Sequence, residues 1–198
     1  MKYILSRYRH DMSWLKDYTD DFVIYDRSRE PLERSIVVKN IGTDIYDKFT
    51  FIIDNYDNLP DVAVYTKANI FKYITKEEFN KIKDNKTFTL ILTKNHKEKH
   101  DGKDWICYYK DGIYWEINNL WFLGVHSVKH DPYELMDLLG TKNMKYIPFA
   151  PGSNYILTKE NIQKHPKSFY EKLITYLDWA VYAGEAHIIE RGLYNLWR

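Results

Sequence analysis

Three short stretches of this 198-residue chain set polar side chains directly after an apolar run. Tyr3-Ile4-Leu5 runs into Ser6-Arg7-Tyr8, Phe22-Val23-Ile24-Tyr25 into Asp26-Arg27, and Val62-Ala63-Val64-Tyr65 into Thr66-Lys67-Ala68-Asn69. If the apolar runs are parallel strands, the polar tips gather past their carboxyl ends, where open α/β sheets bind ligands. Polar residues follow most strands, so the pattern carries weight only if the tips converge. A second pattern is histidine spacing. His96 and His100 in HKEKH, and His126 and His130 in HSVKH, lie four apart, the spacing that sets two zinc ligands on one helix face. Residues 95–103 read as a charged loop, HSVKHDP ends at a proline break, and no HExxH glutamate is present. A His-ligated metallohydrolase is the weakest of the functional readings.

The elements that must hold the tips follow from periodicity. Met12 and Leu15 fit a short helical turn between the first two apolar runs. Ser35-Ile36-Val37-Val38 reads as a third strand. Asp44 to Tyr56 reads as a helix, with Tyr46, Phe49, Ile52, Ile53 and Tyr56 three and four apart, capped by Thr43 or Asp44 and stopped at Asp57-Asn58-Leu59-Pro60. Strand and helix alternate at the spacing of a parallel α/β sheet. Thr75 opens a capping box and a helix to about Lys83. Asp111-Gly112 between two aromatic runs, within 105–117, is a hairpin signal. Asn154 to Leu157 reads as a strand, Thr158 caps a helix to about His165, and helices follow over 168–179 and 185–197. The expectation is one α/β domain over 1–198, with a mixed sheet, a parallel N-terminal half flanked by helices, and a β-hairpin.

Composition narrows the function. Lys plus Arg is 29 against 28 Asp plus Glu, which argues against a nucleic-acid binder. The single cysteine, Cys107, rules out an internal disulfide and points to a reducing, cytoplasmic setting. No stretch approaches the roughly 18 apolar residues of a membrane span, and MKYILSRYRH is too short in apolar residues for a signal peptide. Eighteen tyrosines and six tryptophans suit a sugar or base ligand, and equally suit the filling of a strand-rich core.

The stretches SRYRHDMSWL, NIGTDIYDKFTFIIDNYDNLPDVAVY and FAPGSNYILTKENIQKHPKSFYEKL, with the closing ERGLYNLW, resemble the DUF3431 family, a domain of unknown function with fungal, bacterial and large-virus members. The resemblance covers most of the chain outside 75–140, and it extends to nucleotide-sugar glycosyltransferases of GT-A type. It implies a nucleotide-binding half over 1–70 and an acceptor-side half over 71–198. It implies that Ser6, Arg7 and Tyr8 line the nucleotide site, that Asp26 bonds base or ribose, and that Asn40 and Gly42 shape the next turn. GT-A enzymes commonly hold a metal with Asp-x-Asp at the strand end filled here by Thr66-Lys67-Ala68-Asn69. That departure leaves open whether Mn or Mg takes part, with Lys67 or Asn69 in place of carboxylates or Asp26 and Asp44 supplying them from elsewhere. Glu185 and Glu190 are the candidate bases, Arg191 a candidate phosphate ligand, and Pro151, Gly152 and Ser153 an acceptor-side loop. The expected activity is sugar transfer from a UDP- or GDP-sugar to a glycan or sugar acceptor, by inversion. The rival is a non-catalytic carbohydrate-binding or interaction module. Oligomeric state is left open.

Overall fold

A computed structural model describes residues 1–93 and 107–198. HKEKH and the charged loop around it lie outside the described residues. The main sheet has six strands: β1 (Lys2–Arg7), β2 (Phe22–Asp26), β3 (Ile36–Val37), β4 (Val62–Lys67), β5 (Thr89–Leu90) and β9 (Tyr155–Thr158), in the order β3-β2-β1-β4-β9-β5. The first four are parallel, and β9 and β5 add antiparallel pairings beside β4. Registers Arg7↔Asp26 and Ser6↔Lys67 bring the three polar tips to one edge.

Side chains alternate across the sheet with the period of two that a strand imposes. Ile4, Ala63, Tyr65, Tyr155 and Leu157 face a core built with α1 (Thr43–Asp54), α5 (Lys167–Thr175) and α6 (Gly184–Trp197). Tyr3, Leu5, Val64 and Ile156 face a second core closed by Trp14, Leu15, Ile70 and Phe79. These last residues lie on two 3-10 turns, Ser13–Asp17 and Ile70–Lys72, and on α2 (Lys76–Ile82). Burial on both faces explains why the central runs are continuously apolar. Seven tyrosines, Tyr3, Tyr25, Tyr65, Tyr114, Tyr155, Tyr170 and Tyr194, are buried in the described structure, so core filling accounts for a good part of the aromatic surplus.

A separate antiparallel sheet comprises β6 (Cys107–Lys110), β7 (Ile113–Ile117) and β8 (Tyr146–Pro148), so the expected hairpin gains a third strand. Asp111 and Gly112 have φ of 53° and 76°, the two positive values that a tight primed turn needs. Thr75 makes its capping box with Glu78, and Thr158 makes one with Asn161 at α4 (Lys159–Gln163).

Local reasoning missed three features. The third strand is two residues rather than four, because β3 is an edge with Ile36 and Val37 exposed. Pro132 begins a helix instead of ending one: α3 (Pro132–Leu138) has proline at its first position and Asp131 as cap, accepting from the Tyr133 N–H. Asp44 does not cap α1. Gly42 precedes the helix at φ +61°, Thr43 opens it at +58°, and the Thr43 hydroxyl makes only a long contact with a first-turn donor, the Ile45 N–H at 3.4 Å.

Gly42 is required by space as well as by φ. A Cβ there would lie 2.8 Å from both Cβ and O of Leu177, while its N–H donates to Ala180 O at 2.8 Å. Gly140 shares the positive φ, at +67°, but has open space around it. We expect Gly42→Ala to cost about 2 kcal/mol or more and Gly140→Ala about 1 kcal/mol, from the left-handed penalty alone in the second case. Urea unfolding midpoints check this; equal losses would mean that the Leu177 contact relaxes freely.

Candidate functional site

The centre of the carboxyl edge is a buried carboxylate. Asp44, in the first turn of α1, bonds Lys48 one turn on, and accepts from the Ser153 hydroxyl. Its other oxygen lies 3.1 Å from Lys67 Nζ, at the end of β4. Lys48 Nζ also donates to Ser153 Oγ at 3.0 Å. Lys48 and Ser153 are enclosed, whereas the Lys67 side chain keeps 27% of its surface. Burial alone would raise the Asp44 carboxyl, but the charges of Lys48 and Lys67 outweigh it and hold the group well below the usual carboxylate range. Burial likewise opposes the charge on Lys67, yet Asp44 and then Glu190 hold its ammonium above the usual lysine range. Burial pushes Lys48 down in spite of Asp44.

The 150–154 turn enters this cluster from β8 and leads into β9. Gly152 at φ +85° and Ser153 at +56° bend it inward. A Cβ on Gly152 would meet the Tyr73 ring at 2.6 Å, so glycine lets Tyr73 close over the turn. The Tyr73 ring lies 5.7 Å from Lys67 Nζ. Gly152 N–H donates to Glu190 Oε1 at 2.8 Å, which brings α6 to the site. Asn154 Oδ1 accepts from Thr66 Oγ1 and from the Lys67 N–H, both at 3.0 Å, and so fixes the end of β4. Trp14 Nε1 donates to Ala68 O at 2.9 Å, pinning the segment that follows β4 from the other face.

The sequence-derived candidates fall into three groups. Asp44, Lys67, Gly152, Ser153 and Glu190 come together here, with Pro151 buried beside them. The expected acceptor-side loop is thus a packed turn under the cluster. Ser6 joins its margin, with Oγ 3.4 Å from Asp44 O. Arg7 and Asp26 form a second group, paired at 2.7 Å. Asp26 is fully buried and also accepts from the N–H groups of Ser28 and Leu32, so it organises the loop after β2. Tyr8 and Asn40 are exposed, Asn69 is half-buried, and Gly42 serves the turn before α1.

Glu185 and Arg191 stand apart. Glu185 is fully buried, and its Oε1 accepts from the N–H groups of Lys129 and His130 at 2.8 and 2.9 Å, with His130 Nδ1 also at 2.9 Å. It clamps the 127–130 segment to the start of α6 rather than opening to a pocket. Arg191 forks onto Glu116 of β7 and lies 4.8 Å from the Phe149 ring, tying α6 to the second sheet. His126 and His130 lie on irregular chain, so their spacing does not give a shared helix face. His126 stacks on His187 at 4.5 Å instead. Among the described residues no group of three or more His, Cys, Asp or Glu is arranged to hold a metal ion.

Lys48, Tyr73, Asn154 and His187 were missed by the sequence reading. Asp44 and Lys48 are an i, i+4 pair, a signal that was available. His187 and Glu190 are likewise an i, i+3 pair on α6, 4.0 Å apart, whereas nothing local marks Tyr73 or Asn154 as neighbours of Lys67.

Fold and site together define a mixed α/β protein with a charge cluster at the carboxyl edge of its parallel strands. The chain belongs to the family described as "Protein of unknown function (DUF3431)", which matches residues 4–191 and so takes in every residue of the cluster. No curated protein and no solved structure matches the chain. Among the described residues, no helix is long and apolar enough to cross a membrane.

Removing Asp44 leaves Lys48 buried without its counter-charge. We expect Asp44→Asn to cost about 3 kcal/mol or more, and Asp44→Asn/Lys48→Met to recover part of that loss. The carboxyl is depressed in the folded state, so its contribution is present above its unfolded value of about 3.9 and is lost as pH falls toward the folded value. The acid limb of the stability profile should therefore flatten in Asp44→Asn. Unfolding curves at pH 2.5 to 7 test this; an unchanged acid limb would remove Asp44 as its source.

Proposed function

We propose that this chain is a GT-A-type glycosyltransferase, moving a sugar from a UDP- or GDP-sugar to a sugar or glycan acceptor. The observation that carries the reading is the meeting of Lys67, Asp44 and Glu190 at the carboxyl edge of four parallel strands, beside an antiparallel β9. Both a cation for a leaving diphosphate and a carboxylate for an acceptor hydroxyl are then at hand.

The metal that a GT-A resemblance implies does not fit these donors. Asp44 already holds two ammonium groups and the Ser153 hydroxyl, and Glu190 Oε1 accepts from Gly152. A divalent ion would have to displace Lys67. In our reading the lysine does the electrostatic work itself. Glu190 takes the acceptor hydroxyl proton, the oxygen bonds to the anomeric carbon, and the bond from that carbon to the diphosphate oxygen breaks. Lys67 stabilises the charge that develops on the leaving group. Glu190 suits the base role better than Glu185, because its side chain is 16% exposed while Glu185 is closed off by the 129–130 segment. Inversion is the stereochemistry this single displacement implies.

The competing reading is a carbohydrate-binding module. Tyr108, 39% exposed and stacked parallel on Trp115, is the observation in its favour. Thermal-shift assays with UDP and GDP, with and without Mn²⁺, separate the two. We expect nucleotide stabilisation that does not require the metal; no stabilisation by any nucleoside diphosphate would sink the transferase reading. With donor and acceptor identified, Glu190→Gln should lower turnover by roughly 100-fold or more with nucleotide binding retained. Lys67→Ala should weaken nucleotide diphosphate binding by about tenfold. Wild-type turnover in Glu190→Gln would exclude it as the base.

A further inference from the structure

A cavity of about 440 Å³ opens beyond the ends of β1 and β2, on the opposite side of β1 from Lys67. Arg7, Arg9, Ser28, Arg29 and Glu30 line it. Three arginines and one glutamate are thus among its lining residues. Even when Asp26, behind Arg7, is counted against them, the balance is one positive charge (three minus two).

The bonds that shape the cavity use only part of its cationic surface. Arg7 is the fixed wall. Its Nη1 reaches Asp26 at 2.7 Å, Ser28 Oγ at 2.8 Å and Glu30 O at 3.2 Å, and its Nε donates to His10 O at 3.0 Å. Its Nη2 makes no hydrogen bond to the described protein, so two N–H groups of a positioned guanidinium stay available. Asp26 accepts from the Ser28 and Leu32 N–H groups, which fixes the loop that carries Ser28, Arg29 and Glu30. Arg9 and Arg29 are exposed and have no ion pair among the described residues. Arg9 is held with φ at +64°, an unfavourable conformation for arginine, and its guanidinium lies 5.2 Å from the Tyr8 ring. The contrast with Arg27 is direct. That arginine, one residue from the same loop, spends its fork on Asp47 at 3.0 and 2.6 Å and on Ile41 O, and belongs to the framework.

We propose that this pocket is a binding site for the phosphate end of a small organic phosphate, gripped by Arg7, Arg9 and Arg29. Guanidinium forks match the oxygens of a phosphoryl group and bind it with paired, charge-assisted hydrogen bonds. The volume exceeds what inorganic phosphate fills and lies in the range of small-ligand sites, which points to a diphosphate or a phosphate ester. Glu30 on the rim repels any anion and so moderates the affinity of the site. The site stands whether or not the chain transfers sugars.

The test is isothermal titration of inorganic pyrophosphate into the full chain at low salt, with citrate as a carboxylate control. We expect one pyrophosphate per chain, at least tenfold preference over citrate, and an affinity that falls steeply with added salt. Arg9→Gln and Arg29→Gln should each lower the affinity by about tenfold, and Glu30→Gln should raise it. Both arginines are exposed, so unchanged melting temperatures will show that these variants fold. The proposal is overturned if pyrophosphate binds no better than citrate. It is equally overturned if wild-type affinity survives in the Arg9→Gln/Arg29→Gln double variant. Pyrophosphate carries neither base nor sugar, so failure here leaves the donor-sugar reading to its own assay, and success here does not establish that reading.

Discussion

The charge on Asp44 is the constraint around which the carboxyl edge is built. A carboxylate this deep is costly to desolvate, and it is stable only with counter-charges and hydrogen bonds in place. Lys48 comes from the next turn of α1, Lys67 from the end of β4 and Ser153 from the turn before β9. One side chain therefore draws a helix, a parallel strand and an inbound turn to a common point. The left-handed pair Gly152-Ser153 belongs to the same arrangement. Without those angles the Ser153 hydroxyl would not reach Asp44, and Tyr73 could not pack over Gly152.

The other buried charges obey the same rule, each pair joining elements distant in the chain. Arg27 and Asp47 join the end of β2 to α1, Arg191 and Glu116 join α6 to the second sheet, and Glu185 joins α6 to the 127–130 segment. Single truncations within such pairs are severe because the partner is left charged and dry. Lys67 keeps more solvent contact than the paired cations Arg27 and Arg191 while bonded to a buried acid. A partly exposed group held away from its ordinary pKa by a specific partner is a functional-site candidate.

What was legible in the sequence was local. The Thr75 and Thr158 capping boxes, the Asp111-Gly112 turn, the helix over 43–54 and the central strands follow from spacing within a dozen residues. The convergence of the strand tips was also legible, because parallel strands joined by crossovers leave their carboxyl ends on one edge. What was hidden depends on pairing across the chain. Nothing near Asn154 announces that β9 inserts antiparallel beside β4, or that the Asn154 amide oxygen closes the end of that strand. Glu185 shows the same limit. An acidic residue at a helix start is a common local choice, and only tertiary packing decides that the 129–130 segment seals it.

The tip Thr66-Lys67-Ala68-Asn69 now has a physical account. Where a pair of carboxylates would call for a cation from solution, this chain sets an ammonium group against the carboxylate of Asp44, with the charge of Glu190 also favouring it. A lysine carries one charge where a divalent ion carries two. Any strongly anionic ligand at this edge therefore needs further positive charge from the protein. Beyond β1 and β2, Arg9 and Arg29 have no ion pair among the described residues, while Arg7 is paired with Asp26, and Arg191 and Arg27 are bound into the framework. Charge balance would therefore share a diphosphate along the edge, with Arg9 and Arg29 meeting its charge on the β2 side and Lys67 meeting it beside Asp44.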